Sequence, residues 1–153
     1  MIEGVVIKEL PTYGDDRGYF RELIRRNDNF FAEGFGQLSH SLMYPGVAKA
    51  WHIHKTQVDW WYVPIGNLKV ALYDKRENSR THKERQVLYL GENHPAKILK
   101  IPSGVAHGCK ALGSQPAHLF YVTSKTYDPD EEGRIAHDDK SMGFDWTAGP
   151  EIK

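Results

Sequence analysis

Short apolar runs punctuated by turn-forming residues restrict the folds open to this chain more than any other feature. Val5-Val6-Ile7, Trp60 to Ile65, Leu68 to Tyr73, Gln86 to Leu90, Lys97 to Ile101 and His118 to Thr123 are strand-sized, rich in Val, Ile, Tyr or Trp, and bounded by Gly, Pro, Asn or Asp. They recur about every ten residues, with turn signals between them, at Pro64-Ile65-Gly66-Asn67, Gly91-Glu92-Asn93 and Pro102-Ser103-Gly104. That rhythm suits a sandwich or jelly roll better than βαβ units. One stretch reads as a short helix: Arg25 to Glu33, capped by Asn27 or Asp28, with Phe30 and Phe31 covering an edge of the barrel. The charged run from Asp74 to Arg85 reads as a solvated hairpin loop, because its mixed signs argue against a binding patch. From Tyr127 to Lys153, turn chemistry alternates with isolated anchors at Ile135, Phe144 and Trp146, the pattern of a tail that wraps a barrel.

Composition narrows the function by exclusion. The 153 residues suit one domain, 1–153, with enough chain to bury a core. Lys and Arg number 20, as do Asp and Glu, so net charge gives no reason to expect nucleic acid or an anionic membrane as partner. Cys109 is the single cysteine, which rules out an intramolecular disulfide and fits a reducing compartment. Glu3 and Lys8 interrupt the place where a signal peptide needs an apolar stretch, and no later segment approaches ~18 consecutive apolar residues. The expectation is a soluble cytoplasmic protein. No Gly-rich phosphate loop or nucleophile elbow occurs, and nothing points to an organic cofactor.

Three histidines and one carboxylate stand out. His52-Ile53-His54 is followed by Asp59, flanked by Gly46 and Gly66, and His107 ends the run Pro102-Ser103-Gly104-Val105-Ala106. In a strand His52 and His54 project to the same side, whereas Asp59, an odd number of positions from His54, needs a turn or bulge at Lys55-Thr56-Gln57 to join them. Imidazole and carboxylate ligands suit a divalent metal ion and leave positions open for substrate or water. His52, His54, Asp59 and His107 are therefore the candidate metal ligands, with the identity of the metal left open.

This spacing resembles the two sequence signatures of the cupin superfamily, with Asp59 in place of the usual glutamate and Ala96 where a glycine would begin the second signature. The resemblance implies an all-β cupin fold, a double-stranded β-helix or jelly-roll barrel, with one or two short helices. Further blocks resemble one branch, the dTDP-4-dehydrorhamnose 3,5-epimerase family. They are Gly14 to Glu22, Gln37 to Ser41, Gly46 to His52, Ile101 to Gly108, and Tyr121 through Tyr127-Asp128-Pro129 and Glu132 to Ile135 to Asp138-Asp139. In that family a histidine base removes the proton beside a 4-keto group, a lysine stabilises the enolate, and a tyrosine returns a proton from the opposite face. The resemblance places His52 at the base and Tyr121 at the proton donor. It places Arg17, Glu22, Gln37, Lys49 and His107 among substrate-binding positions, Arg17 and Glu22 partly toward a neighbouring subunit of a homodimer. It implies an isomerase or epimerase of a nucleotide-linked 4-keto-6-deoxy sugar in surface polysaccharide synthesis.

Several positions depart from the family pattern. Asp59 occupies the place of the enolate-stabilising lysine, putting an anion where a cation would favour the oxyanion. Lys49 stands for an arginine and Ser39 for an asparagine, and the aspartate that pairs with the base lies in a C-terminal extension that none of these blocks reaches. His52 is accordingly expected to lack its orienting partner. His52-Ile53-His54-Lys55 also resembles the His-x-His-Lys stretch of sugar 3,4-ketoisomerases, which makes His54 a second candidate base. Two other readings stay open: a metal-dependent cupin enzyme acting on another small polar substrate, and a non-catalytic sugar-binding cupin.

Overall fold

The computed structural model describes residues 1–150. In chain order the elements are β1 (Val6–Glu9), β2 (Tyr13–Asp15), β3 (Gly18–Phe20), a 3-10 turn (Asn29–Phe31), β4 (Gln37–Met43), β5 (Ala48–His54), β6 (Asp59–Ile65), β7 (Asn67–Asp74), β8 (Arg85–Gly91), β9 (Lys97–Ile101), β10 (Val105–Leu112), β11 (Ala117–Thr123) and β12 (Glu132–Arg134). Two five-stranded antiparallel sheets run β1-β9-β6-β11-β4 and β12-β5-β10-β7-β8, and β2 with β3 forms a separate hairpin. This is the expected jelly roll. No helix among the described residues is long and apolar enough to cross a membrane.

Strand alternation builds the core. Leu68, Val70 and Leu72 of β7, Leu88 and Leu90 of β8, Leu99 and Ile101 of β9 and Leu119 of β11 point between the sheets and form one cluster, each such side chain contributing about 1.5–3 kcal/mol by leaving water. The runs on β6 and β7 read as continuously apolar because their outward faces are covered too. Ala71 and Tyr73 lie with Trp51 beneath Met142, Phe144 and Trp146 of the tail, and Trp60 lies beneath Phe31, ring centroids 4.5 Å apart. The tail does wrap the barrel, as its anchors implied. Its β12 also adds a strand beside β5.

The helix expected from Arg25 to Glu33 is absent. A single 3-10 turn stands there, and Asp28 at its N-cap makes no side-chain cap bond. The Asp28 carboxylate instead accepts from Lys8 Nζ, while the Phe30 carbonyl accepts from Trp60 Nε1 at 2.9 Å. Tertiary partners thus take both the cap and a carbonyl that a helix would have used. The charged run after β7 is a hairpin connection, as expected, but not a uniformly solvated one: Asp74 is fully buried.

Polar residues gather at one end of the lumen. On β4, Gln37, Ser39 and Ser41 alternate with the exposed Leu38 and Leu42, so this strand carries no apolar run on its inner side. Between β5 and β10 a register shift sets three residues, Lys49 to His52, against the two steps from Cys109 to His107. The bulge lets Lys49 and His52, an odd number of positions apart, face the same cavity.

Candidate active site

A cavity of about 250 Å³ opens between the sheets, lined by Gln37, Ser41, Met43 and Lys49, by His52, His54, Gln57, Asp59, Trp61 and His107, and by Cys109, Leu119, Tyr121, Thr123, Tyr127, Asp128 and Glu132. The second sheet supplies His52 and His54 from β5 and His107 from β10, with His107 directly opposite His52 in the register. The first sheet supplies Asp59 and Trp61 from β6 and Tyr121 and Thr123 from β11, with Tyr121 opposite Trp61 and Thr123 opposite Asp59. The turn between His54 and Asp59 is where the chain passes from one sheet to the other, which brings the carboxylate to the imidazoles as its spacing demanded.

The cluster divides in two. His54 Nε2 and His107 Nε2 face Asp59 Oδ2 at 3.8 and 3.9 Å, and ligand-type atoms of these three residues all lie within 4.8 Å of one another. His52 stands outside that group. Its Nδ1–H donates to Glu132 Oε1 at 2.8 Å, which fixes the tautomer and leaves Nε2 as the lone-pair nitrogen. The four-ligand set expected from the spacing therefore reduces to three, and His52 has the carboxylate partner it was expected to lack. Glu132 comes from β12, whose register places it beside His54 and Arg134 beside His52. The signal for it lay in the tail block Glu132 to Ile135, which carried a family resemblance but no assigned role.

The second group is itself anchored. Gln57 Nε2 donates to Asp59 Oδ1 at 2.8 Å and Trp61 Nε1 to Asp59 Oδ2 at 3.2 Å. Gln57 is held in turn by its backbone N–H to Glu131 Oε1 at 2.6 Å. His107 Nδ1–H donates to the Val105 carbonyl at 3.1 Å, leaving its Nε2 toward Asp59. Burial pushes His107 down to about 4 despite the opposing pull of Asp59, so its ring is neutral near pH 7. Burial likewise pushes Cys109 up to about 12, which makes it an inert thiol in the wall.

Of the remaining sequence candidates, Tyr121 lines the cavity from the sheet opposite His52. Lys49 donates to Ser41 Oγ at 2.8 Å and is the one Lys or Arg among the described lining residues. Gln37 at the mouth donates to Ser39 Oγ at 2.9 Å and accepts the Tyr127 N–H at 3.0 Å. Arg17 and Glu22 are not brought to this cavity. Arg17, its side chain 85% exposed, pairs with Asp15 at the tip of the β2–β3 hairpin, and Glu22 pairs with Arg25.

A closed jelly roll with histidines from two strands and a carboxylate converging on its open end defines a cupin with a small-molecule site. More narrowly, the chain belongs to the dTDP-4-dehydrorhamnose 3,5-epimerase family, whose model matches residues 1–153. It is 49% identical over 149 residues to the spore coat polysaccharide biosynthesis protein SpsL of Bacillus subtilis, covering 96% of this chain and 97% of that protein. It is 36% identical over 151 residues to the probable low-salt glycan biosynthesis epimerase Agl13 of Haloferax volcanii, with 96% of each covered. Among solved structures, the dTDP sugar isomerase of Desulfovibrio desulfuricans superimposes with a TM-score of 0.91 at 29% identity, over 97% of this chain and 94% of that one.

Proposed function

We propose that this chain epimerises a nucleotide-linked 4-keto-6-deoxy sugar in surface polysaccharide synthesis, by proton transfer at carbon next to the ketone. The observation that carries the reading is the placement of His52, held by Glu132, and Tyr121 in opposite sheets on either side of one cavity. A base on one face of a planar enolate and an acid on the other invert the centre. His52 Nε2 takes the proton while its imidazolium is steadied by Glu132, and the Tyr121 hydroxyl returns a proton from the far side. Family membership and the epimerases among the relatives support the same chemistry.

The cavity of about 250 Å³ lies at the small end for ligand pockets, about 300–1,000 Å³, and takes the sugar ring while the nucleotide rests at the mouth near Gln37, Tyr127 and Lys49. In this reading Arg17 and Glu22 serve the site of a second copy in a homodimer. The exposed Tyr13, Tyr19 and Phe20 of the hairpin that carries Arg17, and the exposed Leu38 and Leu42 of β4, support such an assembly. The reading puts the protein in the cytoplasm, with its nucleotide-sugar substrate. It also allows a divalent metal ion at His54, Asp59 and His107.

The test is solvent deuterium entering carbon 3 or carbon 5 of dTDP-4-keto-6-deoxyglucose, followed by NMR. Wild-type protein is expected to exchange, and His52→Ala to slow exchange about 10³-fold. Wild-type protein that binds the nucleotide sugar but leaves both carbons protonated would remove the epimerase reading.

A further inference from the structure

We propose that His54 Nε2, Asp59 Oδ2 and His107 Nε2 bind one divalent first-row transition-metal ion, and that this ion is the electrophile that holds the enolate oxygen. The role as electrophile rests on the epimerase reading above. The binding of the ion does not.

The distances separate a metal site from a hydrogen-bonded cluster. At 3.8 and 3.9 Å the imidazole nitrogens are too far from the carboxylate to share a proton. An ion about 2.1 Å from each ligand holds tetrahedral neighbours about 3.4 Å apart, so side-chain rotation of about half an ångström closes the set. A second observation is independent of these distances. Among the described residues neither Nε2 has a hydrogen-bond partner, and the buried Nδ1 of His54 has none either. A mostly buried imidazole with both nitrogens unpaired is costly unless a bound species takes one of them.

The surroundings also have the form that metal ligands require. Each ligand's orientation is usually fixed by a second set of hydrogen bonds. Here the Val105 carbonyl fixes His107, and Gln57 and Trp61 fix Asp59. Two imidazoles and one carboxylate from strand positions leave coordination sites open to the cavity, the arrangement of a catalytic ion.

The chemistry requires a cation at this place. Breaking the C–H bond beside the ketone sends its electron pair into a new C=C bond, the C=O π pair moves to oxygen, and His52 receives the proton. The negative oxygen needs a positive partner. Asp59 cannot supply one, but an ion held by Asp59 can, as a Lewis acid with no change of oxidation state. Tyr121 then protonates the opposite face, the oxygen returns its pair to C=O, and Tyr121 regains a proton through solvent as His52 loses one. Because His52 is held by Glu132 instead of the ion, base and electrophile are separate groups.

The test uses chelator-stripped full-length protein titrated with Co(II), with stoichiometry from equilibrium dialysis and elemental analysis and the visible d–d absorption as signature. One ion per chain is expected for wild type and for His52→Gln. Asp59→Asn, His54→Gln and His107→Gln, each checked for an unchanged thermal transition, are expected to weaken uptake at least 100-fold. Deuterium exchange by stripped protein is expected to fall at least 100-fold and to return on adding the ion. Absence of saturable uptake by wild type, uptake indifferent to Asp59 and both histidines, or uptake lost in His52→Gln would each overturn the site. Exchange equally fast with and without the ion would overturn its role as electrophile while leaving the epimerase standing. A protein that takes up the ion but never exchanges would remove the epimerase reading instead.

Discussion

Asp59 and Asp74 are hidden alike, 3% and 0% exposed, yet one is a finished structure and the other an open one. Asp74, at the end of β7, accepts from Arg76 Nε and Nη2, both at 2.8 Å, and from Ser79 Oγ and Thr81 Oγ1, both at 2.6 Å. Burial would raise its pKa, but the bonds from Arg76, Ser79 and Thr81 outweigh burial and hold the carboxyl well below the usual range. Arg76 also donates to the Glu3 carbonyl at 2.6 Å, so the centre pins the N-terminal segment to the loop. Asp59 has two neutral donors, Gln57 and Trp61, and no guanidinium or ammonium among its hydrogen-bond partners. A buried carboxylate with its own cation is closed to further chemistry, whereas one served only by neutral dipoles, with imidazole nitrogens just beyond bonding distance, still has room for a ligand.

The largest effect that would sharpen this contrast is on stability. Asp74→Ala leaves the Arg76 guanidinium without its partner and is expected to cost about 3–5 kcal/mol, read as a lower urea midpoint at unchanged slope. Exchange activity per folded molecule should stay at the wild-type level. Asp59→Asn is expected to do the reverse, slowing deuterium exchange about 10²-fold, or about 2.7 kcal/mol, with the midpoint unchanged or raised. If Asp59→Asn destabilised the protein as much as Asp74→Ala, the distinction between the two aspartates would collapse.

Acid should discriminate between them next. Asp74 ionises more readily folded than unfolded, so its contribution is fully present above the ordinary aspartate value of 3.8 and is lost as pH falls below it toward the depressed folded value. Stability measured by urea titration is expected to drop through that window in wild type and to flatten in Asp74→Asn. An equal slope in both would mean that other carboxylates dominate acid unfolding.

Both centres show what a sequence discloses. The lumen site was legible because its ligands sit on strands whose period is two and whose one irregularity, between His54 and Asp59, is a short turn. Asp74 was not legible, since a mixed run of charges reads the same whether solvated or folded around one buried carboxylate. Glu132 was hidden by distance: it lies 80 residues from His52 in the chain and on a three-residue strand, too short to show a period. The Arg25 to Glu33 helix failed for the opposite reason. Its local signals were sound, but Lys8 and Trp60 from distant strands claimed the groups it needed.

The smallest expected effects remove one neutral donor from each carboxylate. Ser79→Ala takes away a single hydrogen bond at 2.6 Å while Arg76 and Thr81 remain, so a loss of about 1 kcal/mol in stability is expected with no change in exchange rate. Gln57→Ala takes away the 2.8 Å bond to Asp59 Oδ1, whose value lies in holding the carboxylate toward His54 and His107. A loosened ligand is expected to cost about tenfold in exchange rate or in Co(II) affinity. Its midpoint should move less than that of Ser79→Ala, because Asp59 turns toward the water of the cavity, an option closed to Asp74. Paired denaturation and exchange measurements on these two variants place the difference between the aspartates in their unshared partners, and a common response from both would place it elsewhere.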